Sequence, residues 1–408
     1  MRRIDDRWGP IVCFVLRCHL SLKKLLGFER VPSDPIRTVL LVKFFGIGSI
    51  LLATPMLRAL RRRCPGARIV FLTFEANREM LALVPEVDEV IVLRRDTVRH
   101  LLADVLSARR RLRSLKVDVG IAFEFFVKFS TIVTYLSTAP RRIGFQLSQS
   151  WRDSLITDKV FLNVYRHVTE IFAELVRPLG VEVTDFSLLP LSASVESRAR
   201  VSALLGAATG GAPSRIVCVN PNAGELSVER RWPLERFGEL IDRALTRWND
   251  ILVVVIGAPS ERAYVAALTA RFPDSPRVLS LTGELSLDEL IALFERADLL
   301  VTNDSGPLHV AEAVGLPTVS LFGPETPVLY GPRGEKHLVI WKGIYCSPCL
   351  NVYVSKARIC RGENRCMAAI STDEVFQAVW RMFDALPGRE SGDARRSPSV
   401  LPEGRFSS

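Results

Sequence analysis

The chain has 408 residues, 48% of them hydrophobic and 24% charged. That is long enough for two domains and rules out a disordered chain, a collagen-like chain or a small disulfide scaffold. With 54 Lys+Arg against 44 Asp+Glu, the net charge is +10, which favours anionic partners such as phosphorylated small molecules, acidic membranes or nucleic acid.

Residues 8–28 place apolar side chains at 11, 14, 15, 18, 22, 25 and 26, the spacing of one helical face, with Arg17, Ser21 and Lys24 opposite. Two readings stand: a helix packed on the body, or a basic amphipathic helix lying on an anionic membrane surface. The apolar run from Ile11 stops at Arg17, so neither a signal peptide nor a spanning helix of about 20 residues is expected. Thr38–Val42 reads as a buried parallel strand feeding Lys43-Phe44-Phe45-Gly46-Ile47-Gly48-Ser49 and a helix from Ile50 to Arg63. Ala67–Phe71 completes a right-handed βαβ unit. Strand Glu89–Leu93, a basic helix over 97–115, strand Asp118–Phe123, a helix over 128–138 and a short strand from Arg141 follow. The stretch 94–116 carries eight Lys/Arg against two Asp, either a solvated helix face or an attractor for an anionic substrate.

Residues 181–213 read as an interdomain loop, after which the alternation restarts. Strands are expected at Ile216–Asn220, Ile251–Ile256, Arg277–Leu281, Leu299–Thr302 and Thr318–Phe322, with helices over 233–247, 259–271, 286–296 and 307–315. Two βα series in tandem predict an α/β protein of two doubly wound domains facing across a cleft. The expected division is an amphipathic segment 1–35, a first domain 36–190 and a second 191–372, then a helix 373–387 and a disordered tail 388–408.

Ligands of open parallel sheets bind outside the carboxyl ends of the strands, and three loops there carry suitable residues. In the first, Gly46 and Gly48 allow close backbone approach at a helix N-terminus. In the second, Asn220-Pro221-Asn222-Ala223-Gly224 with Arg230 and Arg231, two readings stand: a loop backbone that cradles an anion neutralised by the arginines, or arginines that are simply on the surface. The third, Asn303-Asp304-Ser305-Gly306-Pro307-Leu308-His309, presents an acid, a hydroxyl and a helix N-terminus together; helix capping by Asp304 or Ser305 is its structural alternative. Four cysteines cluster as Cys346-x2-Cys349-x10-Cys360-x5-Cys366 within a loop spanning 343–367. They read either as metal ligands or as reduced thiols packing an irregular loop.

Over about 36–375 the chain resembles glycosyltransferase family 9, the heptosyltransferase-like enzymes of lipopolysaccharide synthesis. The likeness rests on VLLVKFFGIGSILLATPMLRALRRRCPGARIVFLT, NPNAGELSVERRWPLERF and LTGELSLDELIALFERADLLVTNDSGPLHVAEAVGLPTVSLFGP. The resemblance implies the GT-B architecture, with a lipid-linked glycan acceptor on the first domain and a nucleotide-sugar donor, typically ADP-heptose, on the second. It implies inverting transfer with neither metal nor cofactor; the expected compartment, with no signal peptide or spanning helix read, is the cytoplasm, and residues 8–28 with the basic excess suggest peripheral contact with the inner membrane. Asp304, Ser305, Gly306 and His309 match the family's donor block and Arg230 its diphosphate-binding basic residue, and Glu261 joins the expected donor contacts. The family's usual catalytic Asp is replaced by Ser49, and a lone serine cannot take a proton near neutral pH. Glu124, among phenylalanines that would raise its pKa, is the expected substitute base, with His167 second. A non-catalytic nucleotide-sugar-binding protein is the alternative. Nucleic acid is not expected as a partner, since only net charge speaks for it.

Overall fold

The computed structural model describes residues 2–27, 35–125, 127–146, 151–209, 215–224, 227–351, 360 and 362–384. Two six-stranded sheets form in succession, and every strand pair in both is parallel. The first contains β1 (Thr38–Val42), β2 (Arg68–Phe74), β3 (Glu89–Leu93), β4 (Val119–Ala122), β5 (Arg141–Gln146) and β6 (Asp158–Phe161), in the order β3-β2-β1-β4-β5-β6. The second contains β7 (Arg215–Asn220), β8 (Ile251–Val255), β9 (Val278–Ser280), β10 (Leu299–Asn303), β11 (Thr318–Phe322) and β12 (His337–Trp341), in the order β12-β11-β10-β7-β8-β9. Counted from its own first strand, each half has the same order, with the chain reversing direction across the sheet between β1 and β4 and between β7 and β10. Those are the two points where an open sheet of this kind leaves a crevice.

Helices accompanying the first sheet are α1 (Arg2–Leu25), α2 (Ile47–Leu51), α3 (Thr54–Arg63), α4 (Arg78–Ala82), α5 (Val98–Ser114), α6 (Lys128–Leu136) and α7 (Val168–Glu174). Those of the second part are α8 (Val195–Thr209), α9 (Leu234–Arg247), α10 (Arg262–Thr269), α11 (Leu287–Arg296), α12 (Gly306–Val314), α13 (Pro327–Tyr330), α14 (Arg365–Ala368) and α15 (Thr372–Asp384). The central strands β1, β4, β7, β8, β10 and β11 are buried almost throughout, as strands covered on both faces must be. One device recurs in both halves. Asp118, just before β4, accepts N–H bonds from Arg37 and Thr38 at 2.8 and 3.0 Å, and Asp298, just before β10, accepts one from Ile216 at 2.8 Å. Each aspartate thereby pins the start of the central strand next to its own.

Several expected elements differ in form. The helix expected from Ile50 to Arg63 breaks into α2 and α3 because Pro55 has no N–H for the Leu51 carbonyl; the Thr54 hydroxyl donates to that carbonyl instead, at 2.6 Å. The expected loop over 181–213 holds α8, which packs on α11 and is bonded to it through Arg198–Glu295 and Arg200–Glu289. The helix near the start meets the body, but not through the apolar face expected of it. Cys13 is fully buried and Leu16 and Leu20 partly, against Ile132, Tyr135 and Leu155, while the stripe containing Ile11, Val15 and Leu22 points to solvent. Asp5 fixes the helix in place: its carboxylate accepts the Lys128 and Phe129 N–H groups at 2.9 and 2.7 Å, capping α6 from outside. The expected tail 388–408 lies outside the described residues. Among the described residues no helix is long and apolar enough to cross a membrane.

Candidate active site

At the β1/β4 crevice the loop after β1 carries Lys43, Phe44 and Phe45, and the loop after β4 carries Glu124. Glu124 is buried, and its Oε1 accepts the N–H groups of Phe44 and Phe45 at 2.9 and 3.1 Å. The buried Lys43 ammonium lies 3.6 Å from the same oxygen. So the carboxylate is not bare among phenylalanines, as the sequence suggests, but clamped at one oxygen by two amides and a cation. Oε2 makes no hydrogen bond among the described residues and keeps its lone pairs. Arg152 locks the loop from behind, donating to the Glu124 carbonyl at 2.7 Å; its own burial pulls its pKa down to about 10.

Ser49 lies in the first turn of α2. Its hydroxyl donates to the Gly46 carbonyl at 2.8 Å or the Phe45 carbonyl at 3.0 Å, so the group standing in the family's catalytic place closes its own loop. Gly46 adopts φ 86, a conformation costly for other residues. Gly48 has a different reason to be glycine: a Cβ there would lie 2.6 Å from His309 Cδ2 and 3.3 Å from the Gly306 Cα. The first loop is therefore in contact with the N-terminal turn of α12, and the missing side chain serves the meeting of the two halves.

At the β7/β10 crevice the loops interlock. Asn220, ending β7, donates to Thr302 Oγ1 and Ser305 Oγ at 2.9 and 2.8 Å. Asn303, ending β10, donates to the carbonyls of Pro221 and Asn222 at 2.9 and 3.2 Å. Asn222 donates to the Ile256 carbonyl at 3.1 Å, and its Oδ1 is buried without a partner among the described residues. Ala223 is buried, whereas Gly224, with φ 67, is exposed. Asp304 is buried and faces Arg230, Nη1 to Oδ2 at 3.2 Å; the same guanidinium reaches the Ala223 carbonyl and leaves Nε without a partner among the described residues. Glu261 accepts the Ala258 N–H at 2.8 Å and lies across Gly257 from Asn222. His309 is buried, with Nδ1 3.7 Å from Glu312 Oε2, an ion-pair rather than a hydrogen-bond separation. Burial pushes the Glu312 carboxyl up, but His309 and the Arg333 N–H more than offset it and hold it below the usual range.

His167 takes a different part from the one expected. Its Nδ1 accepts the Thr169 N–H at 3.3 Å, capping α7, and its Nε2 donates to the Gly331 carbonyl at 3.0 Å. Burial, then Arg333 nearby, push its pKa down to about 4. With both ring nitrogens engaged, it joins the two halves and has no lone pair to offer an acceptor. The cysteines Cys346, Cys349, Cys360 and Cys366 are all free thiols; among the described residues no group of three or more His, Cys, Asp or Glu is placed to hold a metal ion. Cys360 Sγ instead accepts the Asn364 N–H at 3.3 Å.

Lys43 and Glu312 are the site residues that sequence reasoning missed; Asn220 and Asn303 stand in the second and third loops it singled out, without a role of their own. Glu312 carried a signal, lying three positions after His309 on one helix.

A family model described as glycosyltransferase family 9 (heptosyltransferase) matches residues 105–357, more than half of the chain. The chain belongs to that family. This glycosyltransferase, of the heptosyl-transferring kind, is similar to lipopolysaccharide heptosyltransferase 3 of Escherichia coli K12: 26% identical over 309 residues, 73% of this chain and 86% of that one. Among solved structures, a family 9 glycosyl transferase from Veillonella parvula superposes with a TM-score of 0.68 at 24% identity, covering 85% of this chain and 97% of that one. The E. coli ADP-heptose lipopolysaccharide heptosyltransferase II follows with a TM-score of 0.66 at 20% identity, covering 85% and 98%. Both superpositions establish the GT-B frame for the family 9 chain.

Proposed function

We propose that this family 9 enzyme transfers heptose from ADP-heptose to a lipid-linked glycan of the lipopolysaccharide core, with inversion and without a metal ion, as a peripheral protein on the cytoplasmic face of the inner membrane. The observation that carries the reading is the meeting of the two crevices: the Gly46–Ser49 turn abuts the α12 N-terminus beside Arg230 and Asp304. The amides at the start of α12 and the Arg230 guanidinium take the diphosphate, meeting the charge that grows on the leaving group. Asp304 aims that guanidinium, while Ser305, Gly306, His309 and the Asn222–Gly224 loop shape the cradle, with Glu261 toward the nucleoside. The acceptor hydroxyl approaches over the first crevice and gives its proton to Oε2 of Glu124, whose other oxygen stays clamped; the resulting oxyanion attacks the anomeric carbon opposite the departing ADP. Contact between the halves excludes water that would hydrolyse the donor.

The test is ADP release from ADP-heptose with a lipopolysaccharide-core acceptor, with and without EDTA. Removing a general base costs about 10²- to 10⁴-fold, so Glu124→Gln should lower kcat by that order with donor binding retained. Full activity in Glu124→Gln would remove the residue from the mechanism, and loss of wild-type turnover in EDTA would remove metal independence. Donor binding by wild type without any turnover would leave a binding protein.

A further inference from the structure

The outward face of α1 is apolar where a solvent-facing helix should be polar. Trp8, Ile11, Val15, Leu22 and Leu25 are 54–83% exposed, and at 3.6 residues per turn they form one stripe opposite the buried Cys13. His19 and Lys23 flank this stripe on one side, whereas Arg17 and Lys24 fall on the opposite part of the helix surface. The helix is not loose, since Asp5 and Cys13 anchor its inner face; the stripe is therefore held outward. Beside it, between α1, α5 and the end of α6, lies a cavity of about 490 Å³. Leu16, Leu20 and the Tyr135 ring form its apolar wall, and Lys23, Arg109 and Arg113 its cationic lining. Arg109 Nε is buried there with no partner among the described residues. Further along α5, Val98, Leu102 and Leu106 are each more than half exposed at i, i+4 and i+8.

We propose that α1 and the adjoining α5 form a docking surface for an anionic phospholipid bilayer: the stripe enters the headgroup–acyl boundary and the cavity takes one lipid phosphodiester, with Lys23, Arg109 and Arg113 around the phosphate and Leu16, Leu20 and Tyr135 against its glycerol and first acyl carbons. This deepens the peripheral placement proposed above and rests on it. The occupant follows from charge complementarity joined to exposed apolar area, the pairing that an interfacial helix uses. Arg142, which also lines the cavity, is committed to the Leu155 and Ala139 carbonyls at 2.7 Å each and supports the wall.

Co-sedimentation with vesicles tests the proposal, using phosphatidylcholine alone and phosphatidylcholine mixed with phosphatidylglycerol. Wild type should prefer the anionic vesicles. At roughly fivefold in partitioning per basic residue near an anionic surface, Arg109→Ala with Arg113→Ala should lose about 25-fold of that binding. Ile11→Ser with Val15→Ser and Leu22→Ser should weaken binding at least tenfold with an unchanged melting temperature, because none of the three is buried. Wild type that ignores anionic vesicles, or a triple variant that binds like wild type, would overturn the proposal. So would a wild-type dimer that the triple variant dissolves, with no vesicle binding, since a second copy would then cover the face. Turnover on a soluble, deacylated acceptor separates the two readings: its absence with vesicle binding intact would sink the proposed reaction and leave the docking surface standing.

Discussion

Single atoms decide how the crevices work. Gly48 has room for a hydrogen and nothing larger, because the His309 ring and the Gly306 backbone close over it. Gly48→Ala should therefore cost about 1–3 kcal/mol of stability by overpacking and depress turnover out of proportion, since the displaced ring lies beside the proposed donor cradle. Melting temperature and kcat measured together would check this. His167 gives a pH signature. Its imidazole titrates near 4 when folded, against 6.5 for the unfolded chain, so the unfolded state binds the extra proton between those values. The stability this neutral histidine supplies is whole above pH 6.5 and is lost as pH falls toward 4, amounting to roughly 3 kcal/mol. In His167→Asn, which can still cap α7, thermal melts across that range should lose this part of their slope. Both residues could be singled out in the sequence, but their partners could not: the Glu124 clamp needs β4 to lie beside β1, and the Gly48 contact needs the halves to face each other. Neither adjacency is written in local spacing.

Elements were legible where burial made them monotonous. The central strands, apolar end to end, stood out as strands, whereas β6, with Asp158 and Lys159, and β12, after the polar turn Arg333–Lys336, sit at sheet edges and look like loop. α8 hid for another reason: it packs through few positions, Val201 and Leu205 among them, so its sequence lacks the rhythm of an amphipathic helix. The apolar rhythm of α1 was correctly a helix, yet that rhythm could not say which face meets the body. Asp5 settles it, and its removal should show. Asp5→Ala strips two N–H bonds from the start of α6 at a cost of about 0.5–2 kcal/mol. Amide hydrogen exchange in α1 should accelerate while that of the β7–β12 sheet stays unchanged.

For the whole molecule, the proposed donor side draws on three separate segments: Arg230 on the loop before α9, Asp304 after β10, and the first turn of α12. A ligand bound only by the folded state stabilises it by about 2.7 kcal/mol at a hundredfold excess over Kd. ADP should therefore raise the melting temperature of wild type, and Arg230→Ala should abolish most of that rise while melting lower than wild type without ligand, because it leaves the buried Asp304 carboxylate without its cation. An unchanged ADP shift in the variant would move the diphosphate elsewhere.

The succession of the two sheets also bears on how the protein is made. β6 ends at Phe161 and β7 starts at Arg215, and among the described residues no strand crosses from one sheet into the other. On the ribosome, a chain that has just cleared residue 161 already owns every strand of its first sheet, before any strand of the second has been translated. Nascent folding can begin there, and the wall carrying Glu124 can take shape before the one that faces it exists.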